Sequence, residues 1–200
     1  MHTFLSFSFS IKSCRFQSLI PTESHRVCIS SKPGVEGSDF INATWLHGHQ
    51  KLREFVLTQH PTNETKAEFW RMLWDHNAQT IVLLTSSLED QEAFPVFWPV
   101  MDEEFDFETF RVRYNEKATH SGHSTFDFVL SSCQDDYEMT VRIIHCSEWP
   151  KDESVKTCDM KSLNQVFDVL KVVRDWHLEY QRGPLVVMDR YAKPPSLVKI

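Results

Sequence analysis

Glycine is scarce, with five in 200 residues, and none follows Gly183. The last apolar run of the chain is therefore not followed by a glycine-rich turn. The five cysteines, Cys14, Cys28, Cys133, Cys146 and Cys158, are odd in number and contain no CxxC pair, which excludes a zinc ribbon and argues against a disulfide framework. The ten histidines show no HxxxH or HExxH spacing, so no metal and no other cofactor is expected. No apolar stretch approaches the ~20 residues of a membrane helix. Lysine and arginine (21) are outnumbered by aspartate and glutamate (28), giving a net charge of −7. That balance supplies no basic stripe for nucleic acid or for an acidic lipid surface. The opening "MHTFLSFSFSIKSC" lacks a basic leader and a small-residue cleavage site, so no signal peptide is expected. The chain reads as cytosolic, with residues 1–12 poorly specified.

What is present suffices for one packed domain: 41% hydrophobic residues, among them six Trp and fifteen Phe. Residues 28–40, rich in Ser, Gly and Pro, read as a loop before strands at Ile41 to Leu46 and Phe55 to Thr58. Between Glu64 and Asn77 the spacing predicts a helix. Phe69, Met72 and Leu73 share a face, Trp70 and Trp74 lie beside it, and Thr62 or Asn63 is available as N-cap. "TIVLLT" (80–85) reads as a strand buried on both faces. In "FETFRVRYNE" (107–116), "STFDFVLSS" (124–132) and "YEMTVRIIH" (137–145) large and polar residues alternate at period two, predicting an antiparallel meander half exposed to water.

From Lys161 to Gln181, Leu163, Val166, Phe167, Leu170, Val173, Trp176 and Tyr180 recur at helical spacing. A Gly183–Pro184 turn then leads into an apolar strand, Leu185 to Met188, with Asp189 at its C-terminal end. A helix feeding closely into a buried strand suits a parallel sheet. The fold class expected is α+β (α/β-like), a mixed twisted central sheet with flanking helices. There is no internal repeat.

Seven phrases carry a further signal: "CRFQSLIPTESHRV" (14–27), "GSDFINATWLHG" (37–48), "EFVLTQHP" (54–61), "EFWRMLWDHNAQTIVLLT" (68–85), "VFWP" (96–99), "EWP" (148–150) and "RGPLVVMD" (182–189). In this order and spacing they resemble the classical protein tyrosine phosphatase family, from about residue 12 to residue 191. "WDHNAQ", "TQHP", "QDDYEMTVR" and "GPLVVMD" resemble more closely the second, membrane-distal domain of receptor-type enzymes of the gamma and zeta class and their insect relatives, a domain that is usually catalytically silent.

The resemblance implies a mechanism against which each residue can be checked. The family uses a cysteine thiolate as nucleophile, a glycine-rich loop and an arginine to cradle phosphate, and an aspartate in a mobile Trp-Pro-Asp loop as general acid. Here Asp189 holds the nucleophile's position, and Met188 replaces the preceding histidine. A carboxylate there repels a phosphate dianion. Pro195 holds the position of the phosphate-binding arginine, and prolines supply no backbone N–H to a cradle. Trp149 and Pro150 remain of the acid loop, but Lys151 stands in the acid's place, leaving Asp152, one residue late, as the remaining candidate acid. Phe16 occupies the place of the tyrosine that stacks on the substrate ring, and Cys14 replaces an asparagine.

His145 and Cys146 spell the His-Cys pair that marks the active site in members of the family, but their position before the Trp149 loop marks an ordinary strand cysteine. Trp70 and Trp74 read as core. Arg26, Asp39, Asn42 and Arg71 fall on motif positions expected to be structural. The acidic stretches Glu89 to Phe94 and Met101 to Glu108 read as solvated loop and strand edge; the functional alternative is a docking face for a basic partner or a neighbouring phosphatase domain.

The expected organisation is a poorly specified segment at 1–12, a tyrosine-phosphatase-like domain at 13–191 truncated before the phosphate-binding loop and C-terminal helices, and a divergent tail at 192–200. With those helices missing, the apolar face of Leu185 to Met188 is expected to be open. The expected function is non-catalytic: a regulatory or protein-binding module, its partner an active phosphatase domain or a phosphotyrosine protein. The alternatives are an active phosphotyrosine phosphatase and a truncated product without function.

Overall fold

A computed structural model describes residues 20–49, 51–85, 94–147, 149, 160–179 and 183–189. Nine strands form one sheet: β1 (Arg26–Cys28), β2 (Phe40–Leu46), β3 (Phe55–Gln59), β4 (Thr80–Leu84), β5 (Glu104–Asp106), β6 (Phe110–Thr119), β7 (Ser124–Ser132), β8 (Glu138–His145) and β9 (Leu185–Asp189). Among the described residues the helices are α1 (Lys66–Asp75), between β3 and β4, and α2 (Met160–Glu179), before β9. The order across the sheet is β1-β2-β3-β9-β4-β8-β7-β6-β5. The central strands β3, β9, β4 and β8 run parallel, while the flanking pairs are antiparallel. This is the mixed α+β sheet expected from the sequence.

Strand alternation divides the apolar residues between two faces. Ile81, Leu83, Ile143, Val186 and Met188 point into the larger core, where α1 adds Phe69, Trp70, Met72 and Leu73. Ring-on-ring contacts fill it: Phe69 lies 5.1 Å from Phe97, and Trp70 5.4 Å from Phe128. The buried indole N–H of Trp70 donates to the Phe97 carbonyl at 2.7 Å. Val82, Leu84, Ile144 and Cys146 point to the other face, where Val173 of α2 completes a smaller cluster. All five residues of β4 are buried, as the unbroken apolar run predicts.

Several expectations need correction. Neither Thr62 nor Asn63 is the N-cap of α1; that position is Thr65, and it makes no side-chain cap bond. Thr62 and Thr65 instead bracket the turn ahead of the helix, each backbone N–H donating to the other's hydroxyl, at 2.9 and 3.3 Å. Helix α2 is narrower in its buried face than its spacing implied. Val173 and Trp176 are buried, but Phe167 and Leu170 are 65% and 51% exposed. They sit to one side of the stripe that meets the sheet. The side chains of Leu163 and Tyr180 lie outside the described residues. The meander is not uniformly half exposed: β6 alternates, but β7 buries four residues in succession, because Asp127 faces an ion pair while Phe126 and Phe128 enter the core. Nor is β9 open on its apolar face. Val186 and Met188 are fully buried, and Leu185 and Val187, on the α2 side, are half-buried.

Two contacts fix the late elements. Arg142 of β8 donates to its cross-strand neighbour Asp127 (Nε to Oδ1, 2.6 Å), and its guanidinium lies 3.7 Å from the Trp176 ring centroid. Gly183 meets the backbone after α1 so closely that an added Cβ would lie 1.9 Å from the Asn77 carbonyl oxygen. Only a residue without a side chain lets the chain pass there into β9. Replacing Gly183 with alanine is expected to cost about 3 kcal/mol by overpacking against backbone that cannot move aside. Urea unfolding of the 200-residue chain checks this as a fall in midpoint.

Candidate functional site

In sheets of parallel strands the C-terminal edge is where ligands meet the protein. Here that edge is formed by Gln59 of β3, Asp189 of β9, Leu84 of β4 with Thr85 just after it, and His145 of β8 with Cys146 just after it. Asp189 is in register with Gln59 on one side and Leu84 on the other. The carboxylate anticipated at the nucleophile's position thus stands at the centre of the edge, between the two strands that flank β9.

The neighbours of Asp189 are committed to structure. Asn42 Nδ2 donates to Gln59 Oε1 at 3.2 Å, and the Thr58 hydroxyl donates to the Asn42 carbonyl at 3.1 Å, tying β2 to β3. The buried His60 ring packs edge-on between Phe94 and Phe97, at 5.5 and 5.1 Å. His145 Nε2 donates to the Thr85 carbonyl at 2.8 Å, which places the imidazole proton on that nitrogen. Burial holds the His145 pKa below the usual histidine value, and the Thr85 contact opposes this more weakly.

Cys146 is not poised to act as a nucleophile. It is 3% exposed, and burial pushes its thiol up to about 12, so it is un-ionised at neutral pH. It also stands two strands from Asp189 across β4, about 10 Å at ordinary strand spacing. Beyond it Trp149 is held by its backbone N–H to the Cys146 carbonyl, 3.1 Å, and packs against the α2-side cluster. Phe16, Pro150, Lys151, Asp152 and Pro195, like Cys14 and Cys158, lie outside the described residues. Among the described residues no group of three metal-ligating side chains converges, and no helix is long and apolar enough to cross a membrane.

The other motif residues hold loops. Arg26 donates to the Asp39 carboxylate and carbonyl at 3.1 and 3.3 Å and also pairs with Glu23; Arg71 donates to the Ser30 carbonyl at 3.1 Å. The acidic edge at β5 is paired within the sheet: Glu104 lies 3.7 Å from Arg111 and 3.9 Å from Arg113, and Asp106 lies 3.4 Å from Arg111. Local partners for Glu104 and Asp106 favour the solvated-edge reading over a docking face. Glu89 to Glu92 lie outside the described residues, and Phe94 is buried. The Arg142–Asp127–Trp176 contact and the Asn42–Gln59 pair were not legible beforehand, because each depends on strand register.

Two measurements test this electrostatic account. With excess iodoacetamide at pH 8, Cys28 and Cys133, which are exposed, are expected to alkylate while native Cys146 does not; peptide mass mapping reads the sites. His123, His145 and His177 all have pKa values lowered chiefly by burial. Below ~6.5 the unfolded chain therefore binds more protons than the folded one. The stability these groups contribute is present above that pH and is lost as pH falls through their folded values. The thermal midpoint is expected to drop from pH 7 to pH 5, with a shallower slope in His145→Gln.

Comparison with known proteins bears out the resemblance. The family profile "Protein-tyrosine phosphatase" matches residues 10–191. The chain is 44% identical over 173 residues to Tyrosine-protein phosphatase 99A of Drosophila melanogaster, covering 86% of this chain and 12% of that protein. It is 35% identical over 195 residues to human Receptor-type tyrosine-protein phosphatase zeta, covering 92% of this chain and 8% of that protein. It is also 33% identical over 138 residues to the chicken Receptor-type tyrosine-protein phosphatase S, covering 68% and 9%. The chain spans about a tenth of the length of these receptor-type relatives. With a profile match over most of its length and a central parallel sheet ending at Asp189, this chain belongs to the protein tyrosine phosphatase family.

Proposed function

We propose that the chain is a catalytically silent, phosphatase-like domain of receptor-type kind, equivalent to a membrane-distal second domain on the cytoplasmic side, with its domain at residues 13–191. Its work is to bind protein, either an active phosphatase domain or a phosphotyrosine protein held without turnover. The observation that carries the reading is Asp189 at the C-terminal end of β9, in register with Gln59 and Leu84, where the family has its cysteine. A carboxylate facing a phosphate dianion raises the energy of the bound state and offers no thiolate to attack phosphorus. Cys146, with its thiol at about 12, supports the same reading, since it supplies no alternative nucleophile. Lys151 in the acid's place and Pro195 in the arginine's remove two further parts of the reaction.

Phosphate release from a phosphotyrosine peptide tests this. The expected result is no release above the buffer blank for the unaltered chain, for Asp189→Ala, and for Asp189→Cys, because restoring a thiol restores neither the acid nor the arginine. Release by the unaltered chain that disappears in Asp189→Ala overturns the proposal and makes the domain an active phosphatase. Retention of the phosphopeptide in equilibrium dialysis without hydrolysis identifies the phosphoprotein-binding form; capture of an active phosphatase domain identifies the other.

A further inference from the structure

The turn between β7 and β8, residues 133–137, ends on a tyrosine at the surface. Ser132 Oγ accepts the backbone N–H groups of Gln134 and Asp135, at 3.1 and 3.3 Å, and Asp135 Oδ1 accepts that of Tyr137 at 3.1 Å, so the turn is closed by its own side chains. Every residue from Cys133 to Glu138 is exposed. The Tyr137 ring meets Trp74 edge-on at 5.6 Å, and its hydroxyl donates to Asn77 Oδ1 at 3.2 Å. One ring contact and one hydrogen bond, both at the surface, cost little to break. Tyr114 differs: it is half-buried, packed on the main core with its ring 6.1 Å from Phe128.

The flanks set the sign of what recognises this tyrosine. Asp135 and Asp136 precede it, Glu138 follows it, and residues 133–138 include no basic side chain. Glu138 is paired with Arg113 at 3.3 Å, whereas Asp135 and Asp136 form no ion pair among the described residues. A substrate groove lined by cations complements such a segment, and charge pattern is a means by which kinases choose substrates. We propose that Tyr137 is a phosphorylation site for a tyrosine kinase that selects acidic flanks, and that the phosphate releases the turn from Asn77. Tyr137 Oη attacks the γ-phosphorus of ATP, the bond to the β-phosphate oxygen breaks, ADP leaves, and the hydroxyl proton passes to the kinase's catalytic carboxylate. The product has no proton to donate to Asn77 and places a charge of roughly −1.5 to −2 beside Asp135 and Asp136. Asn77, at φ 51°, turns the chain from α1 into β4, and its carbonyl is the group that Gly183 skirts on the way into β9. The modification therefore acts on the crossing through which β9 enters the sheet. The inference goes beyond the silent-phosphatase reading, since it concerns the end of β9 opposite Asp189 and does not require that residue.

The test incubates the 200-residue chain with ATP and a tyrosine kinase domain selective for aspartate and glutamate beside its target, with an acidic tyrosine peptide as positive control, and maps phosphate by peptide mass spectrometry. Tyr137 is expected to be modified and Tyr114 not. The double variant Asp135→Asn, Asp136→Asn keeps the Oδ1 acceptor for the Tyr137 N–H and is expected to react at least about fivefold more slowly. The phosphorylated chain should melt at least about 2 °C below the unmodified one, and Tyr137→Phe, which loses the Asn77 bond but gains no charge, should fall by less. An unmodified Tyr137 while the control peptide reacts, phosphate at Tyr114 as fast as at Tyr137, or an undiminished rate in the double variant would each overturn the site. An unchanged melting midpoint after modification would overturn the release from Asn77. Site mapping needs no variant, so it decides the matter even where the double variant fails to fold.

Discussion

The sheet depends on one late insertion. β3 and β4 do not pair with each other; β9, more than a hundred residues downstream of β4, lies between them and pairs with both along its whole length. Until that strand arrives, the facing edges of β3 and β4 carry unpaired backbone groups, and the two halves of the sheet have no common core. Val186 and Met188 then join Val56 with Ile81 and Leu83. The passage into the slot is narrow, because the chain skirts the Asn77 carbonyl at a position only glycine can occupy. Such a long-range, parallel closure implies slow folding, since the loop must be closed before the contacts repay its entropy.

The same insertion decides the chemistry. A strand threaded between two parallel neighbours delivers its last residue to the middle of their C-terminal edge, and that residue is Asp189. Everything nearby is fixed: Gln59 by Asn42, His145 by the Thr85 carbonyl, Cys146 by burial. The fold therefore presents a carboxylate at the middle of that edge, the feature on which the proposed catalytic silence rests. Helix α2 is fastened behind this edge by the Trp176 ring on Arg142, whose charge Asp127 balances, and by its valines against β4 and β8. A buried pair of this kind specifies one seating of the helix more than it adds stability.

Much of this was legible because local pattern and tertiary demand agree. "TIVLL" can only be buried on both faces, and "LVVM" after a helix and a Gly-Pro turn could be read as a parallel strand. The place of that strand at the sheet's centre, and the meaning of Asp189, came from resemblance and not from periodicity. Legibility ended where register enters. The pairing of Glu104 and Asp106 with Arg111 and Arg113 requires knowing which rungs face each other across β5 and β6, so charge pattern alone left a docking face open. Spacing showed that α2 is amphipathic, but it could not show how wide a stripe the sheet would cover, so Phe167 and Leu170 were expected inside. At Thr62 the capping chemistry was correct in kind, yet the helix begins later because Thr62 and Thr65 satisfy one another first.

The account's central claim is that the residue at the end of β9 forms no covalent bond to phosphorus. Oxygen exchange between water and inorganic phosphate, followed by phosphorus NMR on oxygen-18-labelled phosphate, reads such a bond without requiring a particular substrate. Label loss in the presence of the chain is predicted to equal that in buffer alone. Faster loss with the chain that vanishes in Asp189→Ala would contradict the account.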